Sequence, residues 1–229
     1  MTWLTPAGTI TAVLVGAAVW WGLGWTGLVP LFAFLLSGSL LTRLATGRSA
    51  SRTTWQVLAN GGVAAIAALL SQWPATAGAL AAAAADTWAT EIGACSRSLP
   101  RSITTGAQVP RGRSGGITSL GTTGGVLGAL TLAGISWLVA PAFELGVRGA
   151  VVATVAGIIG MLSDSLLGAT AQATYHCPVC GAVSERPGAC HEPVRLVRGV
   201  RWLDNDAVNL AGTLVGATVA CLGYRLLAR

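Results

Sequence analysis

Seven apolar runs, each close to the length of a bilayer crossing, dominate the sequence: roughly 7–23, 27–45, 54–71, 74–94, 115–140, 149–173 and 205–226. A membrane-spanning helix needs about 20 such residues. In lipid, an uncharged helix satisfies all its own backbone groups, so runs of this kind predict helices rather than strands. Only 10% of the 229 residues are charged, against about 25% in a soluble domain. That composition excludes a water-coated globule, and its high apolar content excludes intrinsic disorder. The expectation is an all-α, polytopic membrane helix bundle of about seven transmembrane helices, a single domain over 1–229. Between the sixth and seventh runs, 174–203 reads as a loop insert. The N-terminus lacks a basic leader segment, so its apolar stretch reads as the first membrane helix.

All fourteen basic residues are arginine, and the net charge is +6. Arg43, Arg48 and Arg52 follow the second run, Arg97, Arg101, Arg111 and Arg113 the fourth, and Arg186, Arg195, Arg198 and Arg201 the sixth. Seven crossings put these eleven on one side and leave Arg148, Arg225 and Arg229 on the other. Basic loops stay in the cytoplasm. The expectation is therefore a multi-pass protein of the cytoplasmic membrane with its N-terminus inside.

Five of the eight acids fall at the cytoplasmic ends of these runs: Asp86 and Glu91, Asp164, and Asp204 with Asp206. Ionisable groups inside a membrane are costly and usually functional. Asp86, Thr87, Thr90 and Glu91 span an arc of about 140° on a helix, a polar stripe on an alanine-rich helix. Gly157, Gly160, Asp164 and Gly168 share a face in the sixth run. Asp204-Asn205-Asp206 opens the seventh, with Asn209 one turn beyond Asp206; Asp204 also suits a helix N-cap. Carboxylates gathered at one depth repel unless a cation neutralises them, and an oxygen-rich set fits Mg2+, which couples carboxylates to phosphates.

The loop from Leu99 onward supplies the complementary charge. It reads Pro100-Arg101-Ser102-Ile103-Thr104-Thr105-Gly106, then Pro110-Arg111-Gly112-Arg113-Ser114-Gly115-Gly116, and enters the fifth helix through Gly121-Thr122-Thr123-Gly124-Gly125. Glycines at a helix N-terminus expose backbone N–H groups to anions, and arginine grips phosphate with a two-pronged fork. This predicts a phosphate cradle, although without lysine it is not a Walker A loop. In the insert, His176-Cys177-Pro178-Val179-Cys180-Gly181 is followed by Cys190-His191. Cys-x2-Cys with a later Cys and His suits tetrahedral Zn2+. Cys177, Cys180 and Cys190 are three ligands and His191 or His176 the fourth, in a closed structural site. Cys95 and Cys221 read as packing residues.

Ala85-Asp86-Thr87-Trp88-Ala89-Thr90-Glu91-Ile92-Gly93 resembles the signature of the transmembrane protein 19 / phytyl-phosphate kinase family. The block at 100–106, Asp164-Ser165-Leu166-Leu167-Gly168-Ala169 and Trp202-Leu203-Asp204-Asn205-Asp206-Ala207-Val208-Asn209 resemble its other blocks in the same order, from about Gly61 to the C-terminus. One departure is Gly112-Arg113-Ser114-Gly115, where the family usually has Gly-Thr-Asn-Gly. The resemblance implies Mg-dependent transfer of a phosphoryl group from a nucleoside triphosphate, CTP, to a prenyl monophosphate. The implied partners are that nucleotide, the prenyl phosphate and the lipid bilayer, with no nucleic acid. Joined to the residue patterns, it makes Asp86, Glu91, Asp164 and Asp206 catalytic, and Asp86, Asp164, Asp204 and Asp206 the Mg2+ ligands. Arg101, Thr104, Thr105, Arg111, Arg113, Gly115, Gly116, Asn205 and Asn209 become substrate contacts, and Cys177, Cys180, Cys190 and His191 the zinc set. The alternative is an ion-coupled transporter using Asp86 and Asp164, which requires those acids to be reachable from both sides. A CDP-alcohol phosphotransferase is disfavoured because its D-G-x2-A-R pattern is absent.

Overall fold

The computed structural model describes residues 3–47, 51–142, 144–187, 190–191 and 193–227; Arg48 and Arg229 of the charge pattern lie outside them. The chain opens with α1 (Pro6–Thr46), capped by the Thr5 hydroxyl accepting from the Gly8 N–H. At 41 residues, α1 is about 60 Å long if straight, twice the thickness of a bilayer core. It is not straight. Gly24 adopts φ 66° and ψ −159°, a conformation closed to most L-residues. The chain reverses there, so Gly16 comes against Leu28, and Gly8 and Gly38 both come against Arg52. The first two predicted spans are therefore the two arms of one hairpin.

Five more helices follow: α2 (Thr54–Leu69), α3 (Trp73–Ala94), α4 (Ser119–Val139), α5 (Gly146–Thr170) and α6 (Asn205–Leu227). With the two arms of α1 they make seven helical segments among the described residues. Among the described helices, α1, α4, α5 and α6 are long and apolar enough to cross a membrane on their own composition. A capping box starts α2: the Thr53 hydroxyl accepts from the Gln56 N–H while the Gln56 side chain accepts from the Thr53 N–H.

The one long described helix outside that set, α3, sits at the centre. Every residue from Trp73 to Ala85 is buried, because neighbours cover it on all sides. Lipid tails are as apolar as the helices, so association depends on close packing and small residues. Here the alanines of α3 meet glycines of three partners. Gly128 of α4 lies against the Ala84 carbonyl, Gly157 and Gly160 of α5 against Ala81 and Ala82, and Gly216 of α6 against Gly78 and Ala82. A Cβ at Gly128 would fall 2.8 Å from the Ala84 oxygen, closer than packing allows. Gly121, Gly124 and Gly125, expected at the mouth of a phosphate cradle, likewise pack against Ala89, Ile92 and Ala85 of α3.

The fifth predicted span begins later than expected. Gly115 has φ 75°, and Gly116–Ile117 forms β2, paired antiparallel with β1 (Arg101–Ser102). Only then does Thr118 cap α4, its hydroxyl accepting from the Gly121 N–H at 2.9 Å. Gly115 and Gly116 accordingly belong to the preceding loop. The 174–203 insert folds as three short strands, β3 (Thr174–His176), β4 (Val183–Ser184) and β5 (Arg195–Arg198), in the order β4-β3-β5. Following the chain through seven passes, the segments at 47–53, 95–118 and 171–204 all emerge at one end of the bundle. The arginine-rich segments therefore share that end.

Candidate active site

At the arginine-rich end a cavity of about 570 Å3 opens into the bundle. Its floor and one wall are the polar stripe of α3, since Asp86, Thr87, Thr90 and Glu91 all line it. Asp164 and Ser165 of α5, Asn205 and Asn209 of α6, and Gln56 and Asn60 of α2 complete the lower walls. Directly beneath, Asn60, Asp86, Asp164 and Asn209 converge in a tight cleft.

Asp86 and Asp164 meet in that cleft, and Asp164 Oδ2 is buried with no hydrogen-bond partner. Two carboxylates in contact need a shared proton or a cation between them. An orphaned carboxylate oxygen, a second carboxylate and two side-chain amides form an all-oxygen donor set, which fits a hard divalent cation. The glycine face of α5 explains the placement. Gly157 and Gly160 let α5 lie flush on α3, and Asp164 follows one turn above them on the same side.

The roof is the loop 111–116, each of whose residues lines the cavity. It rests on the end of α5, with Gly115 packed against Ala169 and Gly168 against Ser114 and Gly115. Arg198 lies near Arg113 and Glu185. Burial lowers the Arg198 guanidinium from its usual value, Arg113 lowers it further, and Glu185 opposes both. Across the cavity, Arg52 lines the wall with its guanidinium carbon 5.4 Å from the Phe34 ring centre. Burial lowers Arg52 too, partly offset by Glu91, whose Oε1 accepts from the Thr42 hydroxyl at 2.6 Å.

Of the residues expected to serve the site, Asp86, Glu91, Asp164, Arg111, Arg113, Gly115, Gly116, Asn205 and Asn209 all border this cavity. Five others do not. The β1–β2 excursion carries Arg101, Thr104 and Thr105 outward. Arg101 is exposed and donates to the Gly106 carbonyl at 2.9 Å, Thr104 is bonded to Ser102, and Thr105 accepts from the Ala107 N–H. Asp204 caps α6 by accepting from the Ala207 N–H at 2.9 Å. Asp206 does not line the cavity. Conversely, Arg52, Thr42, Gln56, Asn60 and Glu185 line the cavity unanticipated. Gln56 and Asn60, one turn apart in an apolar helix, were the legible signal among them.

The Cys/His cluster sits outside the cavity. The Sγ atoms of Cys177, Cys180 and Cys190 and a ring nitrogen of His191 all lie within 4.8 Å of one another. The Cys180 backbone N–H, assisted by that of Val179 and opposed by burial, brings the Cys177 thiol down to about 6. Its bond to Cys177, with burial adding, pushes Cys190 up to about 11. Three thiols and an imidazole gathered this closely could hold a metal ion.

The chain matches the family model for integral membrane protein DUF92 over residues 1–217. It belongs to that family. Among DUF92 relatives, an uncharacterized membrane protein of Methanocaldococcus jannaschii is 30% identical over 96% of this chain and 86% of its own length. Protein PGR of Arabidopsis thaliana is 31% identical over 81% of this chain and 77% of its own. Protein VTE6, a chloroplastic protein of the same plant, is 24% identical over 97% of this chain and 66% of its own. This is the family that the four sequence blocks resemble. No solved structure matches the chain significantly.

Proposed function

We propose that this DUF92 protein is a membrane-embedded kinase that transfers a phosphoryl group from a nucleoside triphosphate, CTP by family resemblance, to a prenyl monophosphate, giving the diphosphate. The observation that carries the proposal is the Asp86–Asp164 pair, with its unpartnered Asp164 Oδ2, at the floor of a cavity roofed by arginines and glycines. Phosphoryl transfer asks little covalent chemistry of the protein and much positioning and charge stabilisation. Asp86 and Asp164, with the amides of Asn60 and Asn209, are the residues that would hold Mg2+. Bound there, Mg2+ supplies charge neutralisation on the phosphate oxygens. Arg111 and Arg113 grip phosphate from above, and Arg52, beside Glu91, does so from the side. The acceptor's phosphate oxygen bonds to the γ-phosphorus as the bond from that phosphorus to the β-bridging oxygen breaks, releasing nucleoside diphosphate.

A site sunk into the bundle suits an acceptor whose tail partitions into lipid. Below Asp86 the α3 core is buried and closely packed from Trp73 to Ala85, which favours an enzyme open at one end over a transporter with two-sided access. The arginine excess at that end favours a cytoplasmic opening. The Cys3His set suits a structural Zn2+. The test is to incubate purified protein in detergent with Mg2+, each nucleoside triphosphate in turn, and a panel of prenyl alcohols and monophosphates. Diphosphate formed only from a monophosphate supports the reading; product from the alcohols alone, or none at all, refutes it.

A further inference from the structure

The three strands of the 174–203 insert are three, two and four residues long. A sheet this small has almost no core and is not stable by itself. Two of the features that fix it in place lie at its ends. At one edge, Arg198 of β5 donates to the carbonyls of Ala169 at 2.6 Å and Gly168 at 3.0 Å, at the end of α5. At the other, the Cys/His cluster ties two separate turns together. Cys177 and Cys180 form the turn of the β3–β4 hairpin, closed by the Gly181 N–H donating to the Cys177 carbonyl and the Cys177 N–H to that of Ala182, both at 2.9 Å. Cys190 and His191 come from the connection between β4 and β5.

Glu185 is the first residue after β4, and it leaves the insert altogether. Its Oε1 accepts from the backbone N–H of Ser114, 71 positions away, at 2.8 Å. Its Oε2 accepts from the amide of Gln172 at 3.0 Å, and Gln172 is 1% exposed. Ser114 is the middle of the cavity roof, flanked by Arg113 and Gly115. A carboxylate that uses both oxygens on donors from two elements is held by its own strand's position. That strand runs directly out of the hairpin turn that carries Cys177 and Cys180 of the cluster.

We infer that the Cys/His insert is a metal-stapled clamp whose working end is Glu185, a positioning residue that holds the 111–116 roof over the cavity through the Ser114 N–H. The inference rests on the reading of that roof as the phosphate grip, but the clamp itself can be measured without any substrate. A bound Zn2+ locks the two turns, the locked hairpin sets β4, and β4 delivers the Glu185 carboxylate. Removing the metal frees β4, so the Ser114 amide loses its acceptor.

The experiment is hydrogen–deuterium exchange of the detergent-solubilised full chain, following peptides across 109–118, with α3 and α4 peptides as controls. Zinc-loaded wild type should protect the Ser114 amide. Chelation of the zinc, Cys177→Ser with Cys180→Ser, and Glu185→Ala should each speed exchange there about tenfold, the effect of losing one hydrogen bond. Control peptides should not change. Chelation should add nothing in Glu185→Ala, because the two act through one contact. Glu185→Gln keeps an oxygen for Ser114 and should restore most of the protection. Unchanged exchange at 109–118 after metal removal, or additive effects of chelation and Glu185→Ala, overturns the clamp. So does faster exchange throughout the bundle, which would mean general unfolding. Protein that takes up no metal at the cluster when offered Zn2+ overturns it as well. If the clamp holds but the prenyl-phosphate assay is blank, only the functional reading fails.

Discussion

Asp164→Asn tests the carboxylate pair through stability, independently of turnover. In the absence of a cation, Asp164 Oδ2 is a buried acceptor without a donor beside the Asp86 carboxylate. An unsatisfied buried polar group costs about 1–3 kcal/mol. Asparagine has nearly the same shape, carries no charge and offers N–H groups to Asp86. In chelator, the variant should therefore melt above wild type, by about 2–4 °C for each kcal/mol relieved in a chain of this size. Magnesium should reverse the order. A ligand at a hundred times its dissociation constant adds about 2.7 kcal/mol to the folded state, and only wild type keeps both carboxylates to collect it. Intrinsic fluorescence from the nine tryptophans follows unfolding in detergent without a label. A variant that melts below wild type in chelator, or that gains as much from Mg2+, would refute the argument.

Other outcomes follow from the same geometry. Arg113→Lys, which swaps a forked donor for a point charge, should cost about tenfold to a thousandfold in transfer rate. Arg101→Lys, on the exposed β1–β2 loop, should cost little in the same assay; equal losses would return Arg101 to the site. Metal analysis should find about one zinc per chain, lost when Cys177 and Cys180 become serine; a folded, active protein without metal would remove the ion. Gly216→Leu should push α6 off α3, since even a Cβ there lies 2.7 Å from the Gly78 oxygen. Overpacking of this kind costs about 1–3 kcal/mol or more, read as a lower melting temperature or lost expression.

The bundle was legible because hydropathy and helix length act locally. Each apolar run holds a helix or one arm of one, and Gly24 supplied the hairpin between the first two. The α3 stripe was legible for the same reason, since Asp86, Thr87, Thr90 and Glu91 are placed by one helix's own periodicity. Residues placed by tertiary contact were not. Arg52 lies between helices and reads as one more topogenic arginine until the α1 hairpin folds over it. Glu185 reaches the roof only through a sheet of very short strands. Arg101 and Ser102 occupy successive strand positions, whose side chains face opposite ways; proximity to Glu91 in sequence did not bring Arg101 to the cavity. Asp204 had two readings at the head of α6, and the contact to the Ala207 N–H is that of the cap.

The central claim is that the Asp86–Asp164 cavity transfers phosphate, and label transfer measures it most directly. Purified wild type, Asp86→Asn and Asp164→Asn would each be given CTP labelled at the γ-phosphate, a prenyl monophosphate and Mg2+. The account predicts label in the prenyl diphosphate with wild type, none in chelator, and a loss of about a hundredfold to a thousandfold in both variants, as for removal of a central electrostatic element. Label transferred equally well by the variants, or no label moved from any nucleoside triphosphate by a folded wild-type protein, would contradict it.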